Sequence, residues 1–161
     1  MGIIEASGVG RPVPNMRRRD VTLFKKLVPD AVIPTRAHAT DAGFDLYCTE
    51  AVFLACGDRA LISTGVSVAI PTGAVGLVCP RSGLAIKDGV TVANAPGIVD
   101  SGYRGELKVI LHNTDTTNAF SCHKHSRIAQ LVVVPFLGLS TEVDELPEAD
   151  RGDGGFGSTG V

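Results

Sequence analysis

The chain has 161 residues, 44% of them hydrophobic, and a formal net charge of −2. That length suits one domain with a core of its own, and the near-neutral charge gives no electrostatic footprint for nucleic acid. No apolar run approaches the length of a membrane span, and Met1–Glu5 lacks the basic and apolar regions of a secretory signal, so a cytoplasmic protein is expected.

Residues 1–20 read as a separate N-terminal arm. They lack periodicity and end in Arg17-Arg18-Arg19, which suits a solvated extension. From Val21 onward short strands dominate. Alternation of apolar and polar residues is visible in Ala60-Leu-Ile-Ser63 and in Val66-Ser-Val-Ala-Ile70. It is cleanest in Leu107-Lys-Val-Ile-Leu111, and Arg127–Phe136 reads as a longer β-branched strand. Turn signals recur at Cys56-Gly-Asp, Pro71-Thr-Gly, Lys87-Asp-Gly, Ala95-Pro-Gly and Asn113-Thr-Asp. Many short strands at near-regular spacing predict an all-β sandwich, jelly roll or barrel. One short helix is expected, after Arg81-Ser82-Gly83 through Leu84–Lys87.

Four cysteines stand at 48, 56, 79 and 122, with no C-x-x-C pair. A zinc ribbon or redox motif is therefore not expected, and cysteines in apolar contexts act as small core residues. Cys122-His123-Lys124-His125 is dense in potential ligands, but zinc sites draw their ligands as separated pairs, so a solvated loop or strand edge is preferred.

Five polar clusters interrupt the strand pattern. In Asp41-Ala-Gly-Phe-Asp45 two carboxylates flank a strand start; they suit Mg2+ near phosphate oxygens, or a turn in which Asp accepts backbone bonds. Pro80-Arg81-Ser82-Gly83-Leu84, at a helix start, combines a guanidinium, a hydroxyl and free N–H groups for an anion. The same residues also suit an N-cap Ser beside a solvated Arg. In Asn94-Ala-Pro-Gly97-Ile98-Val99-Asp100-Ser-Gly-Tyr103 the chain folds back on itself. There Asn94 offers donor and acceptor to a base edge, Asp100 a proton acceptor for water, and Tyr103 a flat ring beside a sugar. The fourth cluster places Gln130 in the apolar strand Arg127-Ile-Ala-Gln130.

The fifth cluster is the tail Arg151-Gly-Asp-Gly-Gly-Phe156-Gly157-Ser158-Thr159-Gly160. Its glycines let backbone N–H groups wrap a phosphate, with hydroxyls, a guanidinium and one ring for stacking. A formal G-x-G-x-x-G match at Gly152, Gly154 and Gly157 has no following helix, so it does not read as a dinucleotide turn. A tail that binds nucleotide must close over a pocket built elsewhere.

Singly weak, the five clusters together, in order and spacing, resemble the motifs of the all-β homotrimeric dUTPase family over about residues 21–161. The resemblance implies an arm (1–20), a jelly-roll domain (21–142) and a C-terminal arm with a substrate-closing motif (143–161). It implies a homotrimer in which a neighbouring chain supplies the tail, and hydrolysis of dUTP to dUMP and pyrophosphate with Mg2+. By position, Asp100 would activate the attacking water and Asp45 would hold Mg2+ through water. Arg81, Ser82, Gly83 and Gln130 would grip phosphates. Asn94 and the Gly97-Ile98-Val99 backbone would read uracil, and Tyr103 would exclude a 2′-hydroxyl. Lys108 would lie near the site. Arg151 would meet the γ-phosphate, Phe156 would stack on uracil, and Gly157, Ser158 and Thr159 would line the triphosphate.

A dCTP deaminase-type relative of the same fold would instead need a proton-shuttling glutamate at the base. A regulatory protein partner is compatible with the same motifs. The chain departs from the family pattern where His125-Ser126 stand in place of the usual Gly followed by Asp or Glu.

Overall fold

A computed structural model of the chain describes residues 21–149. The N-terminal arm and the tail cluster lie outside the described residues. Ten strands and one helix follow in order: β1 (Leu23–Lys26), β2 (Gly43–Tyr47), β3 (Val52–Leu54), β4 (Arg59–Ala69), β5 (Ala74–Cys79), α1 (Ser82–Asp88), β6 (Val90–Val92), β7 (Gly97–Val99), β8 (Glu106–Asn113), β9 (Phe120–Cys122) and β10 (Arg127–Pro135). They form a jelly roll of two antiparallel four-stranded sheets, ordered β1-β4-β8-β6 and β2-β10-β5-β7, with a small β3-β9 ribbon. The anticipated helix is present; four of the five turn signals fall between strands or at their ends, and Lys87-Asp-Gly closes the C-terminus of α1. Gly57, Gly73 and Gly89 take positive φ in three of those turns.

The core lies between the sheets. In β8 Leu107, Val109, Leu111 and Asn113 are buried and alternate with more accessible residues, as the period of two requires. Leu46, Val66, Val68, Ile128 and Leu131 complete its centre. Fully burying such a side chain contributes about 1.5–3 kcal/mol.

The alternation expected in β4 holds for Ala60 and Ile62, which pack on the core while Leu61 faces outward. Beyond Ser63 it breaks, and Thr64 through Val68 are all buried. A register shift between Ser63 and Ser67 against β8 is the cause. Gly65 sits there at φ 67, where an added Cβ would strike Val28, Thr49 and Ala31, so only glycine fits. The polar groups turned inward are paired: Thr64 Oγ1 donates to the Leu107 carbonyl at 2.6 Å, and the Gly65 N–H to Glu106 Oε1 at 2.8 Å.

At the far end of β8 the buried Asn113 amide donates to the carbonyls of Leu54, Ala55 and Asn118, and its Oδ1 accepts the Asp115 N–H at 3.1 Å. Its backbone N–H donates to the Asp58 carbonyl at 2.9 Å. Among the cysteines, Cys48 is a buried core residue, Cys79 and Cys122 are half-buried, and Cys56 is exposed. The core expectation thus holds for Cys48, and Cys122 packs half-buried against the core. In β5 it is Val78, not Cys79, that points into the core.

Candidate active site

Three of the sequence clusters meet on the second sheet. On β10 Gln130 pairs with Asp45 of β2 on one side and Cys79 of β5 on the other. Those neighbours lie about 4.8 Å away across the sheet. Pro80 and Arg81 follow β5 directly, so the helix start lands beside the same row. The result is a cavity of about 400 Å³ lined by Asp45, Arg81, Ser82, Gly83 and Gln130, together with Asp41 and Arg127.

Arg81 Nε donates to Asp45 Oδ1 at 3.2 Å, and an Arg127 guanidinium nitrogen donates to Asp45 Oδ2 at 3.2 Å. A second nitrogen of Arg81 reaches the Arg127 carbonyl at 3.3 Å. The Asp45 side chain is 17% exposed between these partners. Gln130 Nε2 donates to the Pro80 carbonyl at 3.0 Å, which leaves its Oε1 on the Gly43 side.

The two readings of the carboxylate pair separate here. Asp41 accepts the His38 N–H at 2.8 Å and serves a turn, whereas Asp45 is held by two guanidiniums inside the cavity. The N-cap of α1 is Arg81, not Ser82, and no side chain caps the helix. The reading of an N-cap Ser beside a solvated Arg is corrected accordingly: Arg81 precedes the first turn in extended geometry, and Asp45 draws its guanidinium inward.

Arg127 is not among the site residues expected from sequence, and it stands three positions before Gln130. On a regular strand that spacing sends two side chains to opposite faces. The register of β10 against β2 shifts between Arg127 and Ala129. Ile128 and Ala129 are consequently both buried, and Arg127 and Gln130 line the same cavity.

The third cluster stands elsewhere. The turn after β6 carries the chain from the first sheet to β7 on the edge of the second. The Ala95 N–H donates to the Val92 carbonyl at 3.1 Å, and the Ala95–Pro96 bond is cis. A Cβ at Gly97 would lie 3.2 Å from Asn94 Nδ2 and 3.3 Å from the Val78 Cβ, so glycine lets the turn close against β5. Ile98 faces outward at the sheet edge between buried Gly97 and Val99.

Asp100 starts a second turn, closed by the Tyr103 N–H on the Asp100 carbonyl at 3.0 Å. The Tyr103 hydroxyl donates to the Glu106 carbonyl at 2.8 Å, which fixes a half-exposed ring. Asn94 and Asp100 are exposed, and among the described residues neither makes a side-chain hydrogen bond. Lys108 lies on β8 in the first sheet, 3.5 Å from Glu106 Oε2. None of Asn94, Asp100, Tyr103 and Lys108 lines the Asp45 cavity. Arg151, Phe156, Gly157, Ser158 and Thr159 lie outside the described residues.

Among the described residues no group of three His, Cys, Asp or Glu side chains converges as a metal site. In the Cys122–His125 segment Lys124 pairs with Asp30, and its hydrogen bond, with its positive charge, holds the Asp30 carboxyl below the usual carboxylate range. His125 adopts φ 64, in the left-handed region that favours glycine. The Asp45 donor set still fits Mg2+ held chiefly by substrate phosphates, since such an ion takes one or two protein carboxylates and keeps several waters. Each Asp45 oxygen already accepts one guanidinium, so the contact that fits is one through water.

A family model described as dUTPase matches residues 30–160. The chain is 51% identical to the deoxyuridine 5'-triphosphate nucleotidohydrolase of Rhodococcus erythropolis, over 85% of this chain and 84% of the relative. It is 52% identical to the enzyme of that name from Clostridioides difficile, over 84% and 95% respectively. Among solved structures it is similar to the dUTPase of Staphylococcus bacteriophage 80alpha with dUpNHpp. There the TM-score is 0.82 at 32% identity, with 88% of this chain and 99% of that chain covered.

Proposed function

The chain belongs to the dUTPase family, and from that premise we propose that it hydrolyses dUTP to dUMP and pyrophosphate. The observation that carries this reading is the cavity in which Asp45, Arg81, Ser82, Gly83 and Gln130 stand together, with a separate exposed turn presenting Asn94, Asp100 and Tyr103. A triphosphate suits the first group. Guanidiniums and the amide of Gln130 neutralise and orient its oxygens, and catalysis at phosphorus depends mainly on such positioning and charge stabilisation.

Uracil suits the turn. Its edge pairs with backbone groups of Gly97–Val99 and with the Asn94 amide, and cytosine would leave those groups mismatched. The Tyr103 ring, held through its hydroxyl, packs on the deoxyribose and leaves no room for a 2′-hydroxyl. Asp100, exposed beside that turn, takes a proton from the water that attacks the α-phosphorus. Mg2+, when bound with substrate, supplies charge neutralisation at the phosphate oxygens. Asp45 would hold it through water, and Arg81 and Arg127 hold Asp45 in place.

Base-reading turn and phosphate cavity are separate surfaces of one chain, which supports a homotrimer whose sites are completed across subunits. In this reading residues 143–161 form an arm that carries Arg151 to the γ-phosphate, Phe156 to the uracil face, and Gly157, Ser158 and Thr159 to the triphosphate of a neighbour. Residues 21–142 are the catalytic domain, residues 1–20 a separate arm, and Lys108 a peripheral contributor. The protein works in the cytoplasm.

Pyrophosphate release measured against dUTP, dTTP, dCTP and UTP, with and without Mg2+, tests the proposal. Release from dUTP alone, dependent on Mg2+, is expected, with no ammonia formed from dCTP. Equal use of UTP or dCTP would overturn the base and sugar assignments.

A further inference from the structure

Cys48 and Cys122 are far apart in sequence but adjacent in the fold. Cys48 follows β2, where its N–H donates to the Ser126 carbonyl at 3.1 Å and its carbonyl accepts the His125 N–H at 2.9 Å. Its thiol donates to the carbonyl of His123 at 3.3 Å, and His123 is the residue directly after Cys122. Cys122 ends β9, paired with Val52 of β3. Two backbone hydrogen bonds and one from the thiol thus hold Cys48 against the segment that carries the second thiol. Burial, with the Cys48 sulfur beside it, pushes the Cys122 thiol above its ordinary range, and the Ser126 hydroxyl opposes this.

The two sulfurs differ in access. Cys48 is fully enclosed, whereas Cys122 is half-buried and opens onto a cavity of about 450 Å³ bordered by Tyr47, Arg81, Phe120 and Arg127. A small oxidant therefore meets Cys122 first, with Cys48 placed behind it.

We propose that Cys48 and Cys122 form an oxidisable dithiol that closes to an intramolecular disulfide under hydrogen peroxide, clamping the end of β2 to the β9–β10 connection. In the first step the Cys122 thiolate attacks one peroxide oxygen. The O–O bond breaks, and the departing hydroxide leaves as water with the thiol proton, giving a sulfenic acid. In the second step the Cys48 sulfur attacks the sulfenic sulfur. The S–O bond breaks, the hydroxyl leaves as water with the Cys48 proton, and the S–S bond forms. The two sulfurs together lose two electrons, and one peroxide becomes two waters. The raised thiol range makes the first step slow at neutral pH, since the thiolate is the nucleophile, so the pair stays reduced until oxidant is in excess. The closed bond removes unfolded-chain entropy across a long loop and stabilises the fold.

The test uses the full-length reduced protein with excess hydrogen peroxide. Free thiols should fall from four to two, and the intact mass by two hydrogens. Cleavage after Glu50 as well as after Lys and Arg separates Cys48 from Cys56, so the map should show a Cys48–Cys122 link. Dithiothreitol should restore all four thiols, and the oxidised protein should melt at a higher temperature than the reduced. Cys122→Ser should show neither link nor shift, while Cys79→Ser should behave as the wild type. Oxygen adducts without a link, links through Cys56 or Cys79, or links between chains only would overturn the proposal. A Cys48–Cys122 link with no rise in melting temperature would overturn the clamp.

Discussion

Asp100 and His125 are the residues on which single substitutions speak most directly. Asp100→Asn keeps the shape of an exposed side chain and removes the proton acceptor. Turnover of dUTP should fall by at least about 10²-fold, the usual range for a general base, while titration calorimetry with a non-hydrolysable analogue should show binding nearly unchanged. Turnover within a few-fold of the wild type would remove Asp100 from the reaction. His125 carries a backbone conformation that costs a residue with a Cβ about 1–2 kcal/mol. Glycine relieves that cost and returns part of it as unfolded-chain freedom. His125→Gly should therefore raise stability by up to about 1 kcal/mol, read as a higher urea midpoint at unchanged slope.

The turn after β8 and the bulge in β10 show what the elements add. Asp115 accepts the N–H groups of Thr117 and Asn118 and the Thr117 hydroxyl at 2.8–2.9 Å, and these bonds hold its carboxyl far below its ordinary 3.8. A depressed carboxyl pKa contributes stability that is present above about pH 4 and is lost as pH falls toward the folded-state value. Thermal melts from pH 6 down to pH 2 should show Asp115→Asn less stable than the wild type at pH 6, with the gap narrowing as the acid range is entered. A constant gap would mean that the carboxylate charge is not what the turn uses.

Alternation, turn glycines and three of the polar clusters made the jelly roll and most of the cavity legible in the sequence. The five anticipated turns and the α1 helix are where spacing and glycine positions placed them. What stayed hidden depended on register. A strand read at period two places Arg127 opposite Gln130, and only the extra residue on β10 brings both to one cavity. The same limit hid the continuous burial of Thr64–Val68, which follows from extra residues on β4 at the register shift against β8.

Across the whole molecule, the proposed completion of a site across subunits, from the Asn94–Tyr103 turn, the Asp45 cavity and the tail, is best tested by complementation. One variant carries Asp100→Asn and the other lacks residues 151–161. If each site takes its Asp100 and its tail from different chains, one pairing in every mixed trimer joins an intact Asp100 to an intact tail. Co-refolding the two inactive proteins should thus restore activity at about a third of the sites in mixed trimers. Mixed trimers verified by mass, yet without activity, would place tail and base in the same chain.

Asn113 gives the barrel end a different character. One buried amide gathers the end of β3, the carbonyls of Ala55 and Asn118, and the turn that Asp115 closes. Segments joined through one group open together, because freeing any of them leaves buried polar atoms unpaired. The amide hydrogens of Asn113, Asp115, Thr117 and Asn118 should therefore exchange with deuterium at one common rate, as a single opening unit. That would make this corner a latch whose release precedes loss of the core, and its exchange rate a gauge of how firmly the barrel is shut.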